Sequence, residues 1–204
     1  LAEEIEMALT LRKELGAELR LCADANMGMD AEHAIAYAQG VKEAQLEFLE
    51  QPLPREDLDG LRRLIETRSI DVGLDESITS VAAARAAIAL GAARAICVKP
   101  AMVGGLLEAV EVHDLCRADG IELKCGGMLE TGVGRAHNIH LGTMPGFVYP
   151  GDTASASRTY SRDIVEQELE TVNGIMPVPE GPGIGVTLDR EFVNTVTVNT
   201  EVLR

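Results

Sequence analysis

The chain has no tryptophan and only three phenylalanines and three tyrosines in 204 residues. A core without large rings must be filled by Ala, Val, Ile, Leu and Met. Apolar residues make up 46% of the sequence and charged residues 25%, which suits a globular domain with one sizeable core. Positive charge is also scarce: 18 Lys and Arg face 33 Asp and Glu, for a net charge of −15. Such a chain is repelled by phosphate backbones and anionic lipid, so neither a nucleic acid nor a membrane is expected as partner. No apolar run reaches the roughly 18 residues of a membrane span. Cys-x-x-Cys pairs are absent. Cys22, Cys97, Cys116 and Cys125 all lie in apolar runs and read as reduced, buried thiols of a cytoplasmic protein. The opening LAEEIEMALTLRKELG is an acidic amphipathic helix without the basic start of a signal peptide. It has no initiating Met, which fits a chain cut from something longer.

What the sequence does have is a repeat of about 25 residues. A short apolar run ends in a polar residue, a loop follows, and then a helical pattern. The runs are Leu19–Ala23, Gln45–Leu49, Ile70–Leu74, Ala95–Val98, Ile121–Lys124 and Gly146–Tyr149. They are short and barely alternate, as parallel strands buried on both faces do. Helices are expected over Ala2–Leu15, Ala31–Val41 (capped by Asp30), Leu58–Thr67, Ser80–Leu90 (ending at Gly91) and Leu106–Ala118 (ending near Gly120). Repeated βα units imply a parallel sheet, and the fold expected is a (β/α)8 barrel. Six units are present, and the chain opens in a helix. The first two strands, with any capping domain, are therefore expected upstream of Leu1. The partial barrel is expected to occupy residues 1–171. Residues 172–204, rich in Pro, Gly and β-branched side chains, read as a short β segment outside the repeat that returns toward the capping domain.

The polar residues closing the first four runs are Asp24, Glu50, Asp75 and Lys99, spaced by 26, 25 and 24. Cys125 follows after 26 and Asp152 after a further 27. In a barrel these positions meet at the C-terminal mouth, where active sites are built. Three carboxylates at one mouth are costly unless a cation lies among them, and their hard oxygens suit Mg2+, with Mn2+ as a substitute. Any one of them alone reads equally as a helix N-cap or a surface acid; their common phase favours the metal. Lys99, between AICV and Pro100, is either a base with its pKa lowered by burial or the ion-pair partner of Asp75. The loop Gly126–Arg135 lacks a dinucleotide or P-loop pattern and reads as a substrate-lining segment, with the small, polar stretch Gly151–Ser157 as a second wall or merely a turn. His137 and His140 lack a third zinc ligand in phase, so all four histidines are read as structural.

In order along the chain stand ADAN (Ala23–Asn26), EQPL (Glu50–Leu53), DES (Asp75–Ser77), VKP (Val98–Pro100) and GGMLETGVGRAHN (Gly126–Asn138). Together they resemble the muconate-lactonizing subgroup of the enolase superfamily. The GGMLETG, GDTASAS and VPEGPGIGVTLD segments are most similar to o-succinylbenzoate synthases that are also N-succinylamino acid racemases. The resemblance implies that Asp24, Glu50 and Asp75 bind Mg2+ and that Lys99 is the acid/base of the sixth barrel strand. It implies abstraction of a proton α to a carboxylate through an enediolate. The outcome would be dehydration to o-succinylbenzoate, a step of menaquinone biosynthesis, or racemisation. Asn26, Gly127, Met128, Glu130, Asp152 and Ser155 would line the pocket of a small carboxylate substrate. A homo-oligomer is implied, and a second lysine, on the second barrel strand, would lie just before Leu1. Dipeptide epimerase and muconate cycloisomerase remain alternatives within the subgroup. An epimerase is expected to carry Asp-x-Asp at the eighth strand, where this chain has Asp152-Thr153-Ala154. A truncated barrel that binds metal without turnover is the alternative of another class.

Overall fold

The computed structural model describes residues 1–202. Five short strands form one parallel sheet in chain order: β1 (Ala23–Asp24), β2 (Leu49–Glu50), β3 (Val72–Leu74), β4 (Ala95–Val98) and β5 (Glu122–Cys125). Helix α1 (Ala2–Leu15) precedes them, and α2 (Ala31–Gly40), α3 (Leu58–Glu66) and α4 (Val81–Ala89) follow β1, β2 and β3. Between β4 and β5 lie α5 (Pro100–Val103) and α6 (Leu106–Ala118), and α7 (Gly132–Gly142) follows β5. Sequential parallel order with helical crossovers is the wall of a (β/α)8 barrel. Among the described residues no helix is long and apolar enough to cross a membrane.

Local chemistry sets the helix limits. Asp30, Asp57 and Ser80 each accept a hydrogen bond from a backbone N–H three residues on, at His33, Gly60 and Ala83. Gly91 (φ 65°) and Gly120 (φ 72°) take the left-handed conformation just beyond α4 and α6. β4 coincides with its apolar run, whereas β1, β2, β3 and β5 start later than theirs; before β2, Gln45 (φ 51°) is turn-like although the run reads as continuous. The sixth run, Gly146–Tyr149, makes one parallel bridge, Phe147 beside Leu123, rather than a strand. Gly146 at φ 106° bends one end and Pro150, which has no N–H, closes the other.

The tail departs from expectation. Val172 and Ile175 form an antiparallel bridge, as do Val165 and Leu188, but residues 190–196 are helical. The Asp189 carboxylate caps this helix, α8 (Arg190–Val196), by accepting from the Phe192 N–H at 2.9 Å. A cap of about 1 kcal/mol and the freedom of an exposed segment outweigh the weak β preference of Val and Thr. Positions 203–204 of the expected β segment lie outside the described residues.

The two faces of the sheet are chemically unlike. Leu74, Ile96, Val98, Leu123 and Cys125 point outward into the main core beneath the helices, with Ala84, Ala109 and Val112 among their partners. Inward, the alternate positions carry Phe48, Glu50, Gly73, Asp75, Ala95 and Cys97. Phe48, Ala95 and Tyr149 form a small inner cluster, with Phe48 and Tyr149 edge to face at 5.0 Å. Three thiols are buried as expected. Cys22 is exposed, because it precedes β1, the outermost strand of the sheet.

Gly73 has a specific reason to be glycine: a Cβ there would lie 2.6 Å from the buried Phe48 ring. Gly73→Ala is expected to lower stability by about 1–3 kcal/mol through overpacking, read from urea unfolding. An unchanged midpoint would contradict the inward placement of Phe48.

Candidate active site

Residues two apart on a strand share a face, so the inner face of the sheet gathers side chains remote in sequence. Glu50 closes β2, Asp75 follows β3, Cys97 lies in β4 and Lys99 follows it. One carboxylate oxygen each of Glu50 and Asp75 and the sulfur of Cys97 lie within 4.8 Å of one another, and all three residues are buried. In the ladder, Asp24 stands beside Glu50, and Cys97 beside Lys124.

Two motifs hold this arrangement by hydrogen bonds. Gln51, buried and at φ 33°, accepts at its side-chain oxygen from the Asp75 N–H (3.0 Å) and the Ser77 N–H (3.1 Å). Its side-chain NH2 donates to the Leu53 carbonyl and to Ser77 Oγ, both at 2.9 Å. Three of these four bonds tie the end of β2 to the segment after β3 and the fourth closes on the loop after β2, and this network fixes a backbone angle that is otherwise disfavoured. The EQP and DES motifs are thus one structural unit that aims Asp75. Asn26 (φ 43°) turns the chain after β1, donating from its N–H (2.9 Å) and its amide (3.0 Å) to the two oxygens of exposed Asp24. The same amide reaches Glu76 at 3.3 Å.

Each buried carboxylate has a lysine. Lys99 Nζ donates to Asp75 Oδ2 at 2.5 Å. Lys124 Nζ lies 2.9 Å from Glu50 Oε2 and 2.9 Å from Asp152 Oδ2. Burial raises the pKa of Glu50 and of Asp75 by more than the paired lysine lowers it. Burial pushes Lys99 down, but the hydrogen bond and charge of Asp75 outweigh it, so its pKa is raised. The sequence led to the opposite shift, toward a ready base. The ion pair with Asp75, the other reading of Lys99, is the contact seen, and it reverses the sign.

A divalent cation fits these residues. Asp75 Oδ1 is buried without a hydrogen-bond donor, an oxygen that a cation would fill. Burial raises the Cys97 thiol well above its ordinary range, so it stays protonated and is a poor ligand beside hard oxygens. It packs instead where a Cβ on Gly126 would stand, 2.5 Å from its sulfur.

The loop residues have visible tasks. Glu130 accepts from the Met128 N–H (2.7 Å) and the Asn138 amide (3.0 Å), which leaves its carboxylate organising the loop. Met128 is half exposed at the rim. Buried Arg135 donates to the carbonyls of Glu130 (2.9 Å) and Ala154, pinning the glycine loop to the Gly151–Ser157 stretch. Gly127 lies so close to that stretch that a Cβ would stand 2.6 Å from the Asp152 carbonyl. Ser155 Oγ accepts from the Thr171 N–H at 2.8 Å. Histidines 33, 113 and 140 bond to Glu4, the Pro145 carbonyl and the Ile184 carbonyl, which are structural partners.

Lys124 is the residue that the reading of unit ends passed over. Counting polar ends landed on Cys125, which faces outward and directs its thiol to the Asn138 carbonyl at 3.3 Å. One residue of phase moves a side chain to the opposite face. The signal lay in the ELKC run itself, whose polar residues Glu122 and Lys124 alternate with Leu123 and Cys125.

This sheet and site define the class. Residues 1–192 match the Enolase C-terminal domain-like family, and the chain belongs to it. It is 49% identical over 186 residues to the N-succinylamino acid racemase of Thermus thermophilus, covering 91% of this chain and 50% of that protein. It is 45% identical over 180 residues to the o-succinylbenzoate synthase of Geobacillus kaustophilus, covering 88% and 48%. An enolase-superfamily protein from Listeria innocua superposes with a TM-score of 0.89 at 38% identity, covering 97% of this chain and 53% of that one. The chain spans about half the length of the curated relatives it matches.

Lys99→Met is expected to leave Asp75 buried and unpaired. With EDTA present, it should cost about 3 kcal/mol at pH 7, measured by chemical unfolding. The sign with pH follows from the raised Asp75 pKa. Below the ordinary carboxylate range Asp75 is protonated in both states and needs no partner, so the penalty shrinks toward pH 4. A penalty independent of pH would contradict the pair.

Proposed function

We propose that this chain carries the metal site and one acid/base of an enzyme that removes the proton α to a carboxylate, as o-succinylbenzoate synthase, N-succinylamino acid racemase or both. The observation that carries the reading is the inner-face cluster itself: Glu50 and Asp75 converge, and Lys99 stands against Asp75 on the same face. The identities of 49% and 45% to a racemase and a synthase support the choice of substrate class.

We assign Asp24, Glu50 and Asp75 as the ligands of Mg2+, with Mn2+ as a substitute. When bound, such an ion supplies positive charge at the substrate carboxylate, where negative charge grows as the α-proton leaves. Lys99 serves as the base once Asp75 releases it. The hydrogen bond that holds it protonated is then gone, and burial, the largest single influence on this lysine, lowers its pKa against the lesser pull of neighbouring Glu76. The ammonium so formed returns to Asp75, which holds the proton at Nζ until it is handed back or given to a leaving hydroxyl. Return of the proton by Lys99 restores the original configuration, and delivery of a proton to the opposite face by a second acid of the whole protein gives racemisation; loss of a β-hydroxyl gives dehydration. The loop Gly126–Arg135 and the stretch Gly151–Ser157, pinned together by Arg135, form the wall against the acyl part, with Gly127, Met128, Asp152 and Ser155 along it and Asn26 across from it. An ammonium-binding Asp-x-Asp is lacking at Asp152, which argues against a dipeptide substrate. The same reading includes a homo-oligomer in the cytoplasm, where the buried thiols stay reduced.

The test is turnover of an N-succinylamino acid and of the dehydration substrate by the full protein with Mg2+. Lys99→Ala is expected to lower both rates by about a thousandfold while metal binding persists. Turnover within a few-fold of the unaltered enzyme would remove Lys99 from its role.

A further inference from the structure

We propose that Lys124 is the resident counter-cation of the carboxylate cluster, a positioning residue that competes for Glu50 and so sets the affinity of the site for a divalent cation, with Asp152 as its alternative anchor. The inference rests on the metal-site reading above.

Lys124 projects from β5 across the inner face. Its ammonium donates to both oxygens of Glu50, Oε2 at 2.9 Å and Oε1 at 3.3 Å, and lies 2.9 Å from Asp152 Oδ2 as an ion pair. The two anchors differ in setting. The Glu50 side chain is 3% exposed and that of Asp152 is 51% exposed, with Lys124 between them at 15%. The ammonium therefore bridges the buried cluster and the solvent-facing wall of the pocket. Both Glu50 oxygens lie within its reach, so a cation that takes Glu50 as a ligand must share or displace that contact. It also meets a like charge in a poorly screened place. Asp152 makes the displacement inexpensive, because Lys124 keeps one strong partner when it lets Glu50 go. Lys124 and Asp152 thus act on metal affinity in opposite senses, although neither is assigned as a ligand. In the absence of a divalent ion Lys124 neutralises a carboxylate that burial would otherwise leave uncompensated.

The test is calorimetric titration of the full protein with Mg2+ and no substrate, with thermal unfolding in EDTA and in saturating Mg2+ beside it. Lys124→Met is expected to bind Mg2+ about tenfold more tightly, since a competing charge is gone. It should unfold at a lower temperature in EDTA and recover most of that loss in Mg2+. Asp152→Asn is expected to bind Mg2+ several-fold more weakly, because Lys124 then has only Glu50. A role in packing alone predicts no gain in affinity. Lys124→Gln keeps a donor without the charge and gives the same reading if the Met variant does not fold. Unchanged or weaker binding in the folded Lys124 variant overturns the proposal, as does tighter binding in Asp152→Asn. Glu50→Gln separates the two levels: if it binds Mg2+ as well as the unaltered protein, the metal site is misplaced and this inference falls with it. If Glu50→Gln binds weakly and Lys124→Met does not tighten, only the inference fails.

Discussion

Glu50 and Asp75 are carboxylates held where water scarcely reaches, and each is opposed by a lysine from another strand. An isolated buried carboxylate costs several kcal/mol, so these pairs constrain everything around them. They explain why Gln51 accepts an unfavourable backbone angle to hold Asp75 and why Gly126 can be nothing larger beside Cys97 and Lys99. They also explain why the alternation of the strands has to be kept. A single-residue slip in β2 or β5 would carry Glu50 or Lys124 into the apolar core under the helices. The outer face can be almost featureless, filled by Ala, Val, Ile and Leu, because specificity of register is supplied from the inner one.

Much of this was legible from periodicity. The spacing of Asp24, Glu50, Asp75 and Lys99 placed them at the same point of successive βα units, and the structure brings Glu50, Asp75 and Lys99 onto one inner face. Helices α1 and α6 have the limits that the apolar pattern and Gly120 mark. What periodicity could not give was the face of each residue on a strand of only two to four residues. There the unit spacing varies by more than the one-residue precision that alternation demands, which is why Cys125 stood in for Lys124. The sixth strand shrank to a bridge because Gly146 and Pro150 bracket too few residues to pair. In the tail, the β-branched residues of 193–198 carried an apparent β signal, but β preference has little force without a sheet to join, and the Asp189 cap decided the outcome.

The direction of the Lys99 shift carries a general lesson. Burial alone predicts a lysine ready to accept a proton, and that expectation is right only while no carboxylate answers it. With Asp75 at 2.5 Å the same burial strengthens the pair, and Lys99 rests as an acid. On the proposed reading of Lys99 as acid/base, Asp75 holds the ammonium in place and releases it when a competing cation takes that carboxylate.

The central claim is that this face supports metal-assisted removal of a proton next to a carboxylate. The most direct measurement is proton NMR of an N-succinylamino acid in D2O with the full protein and Mg2+. The account predicts that the α-proton signal fades as deuterium enters and that EDTA stops the loss. A signal that persists with protein folded and Mg2+ bound, or a loss that EDTA does not affect, would contradict it.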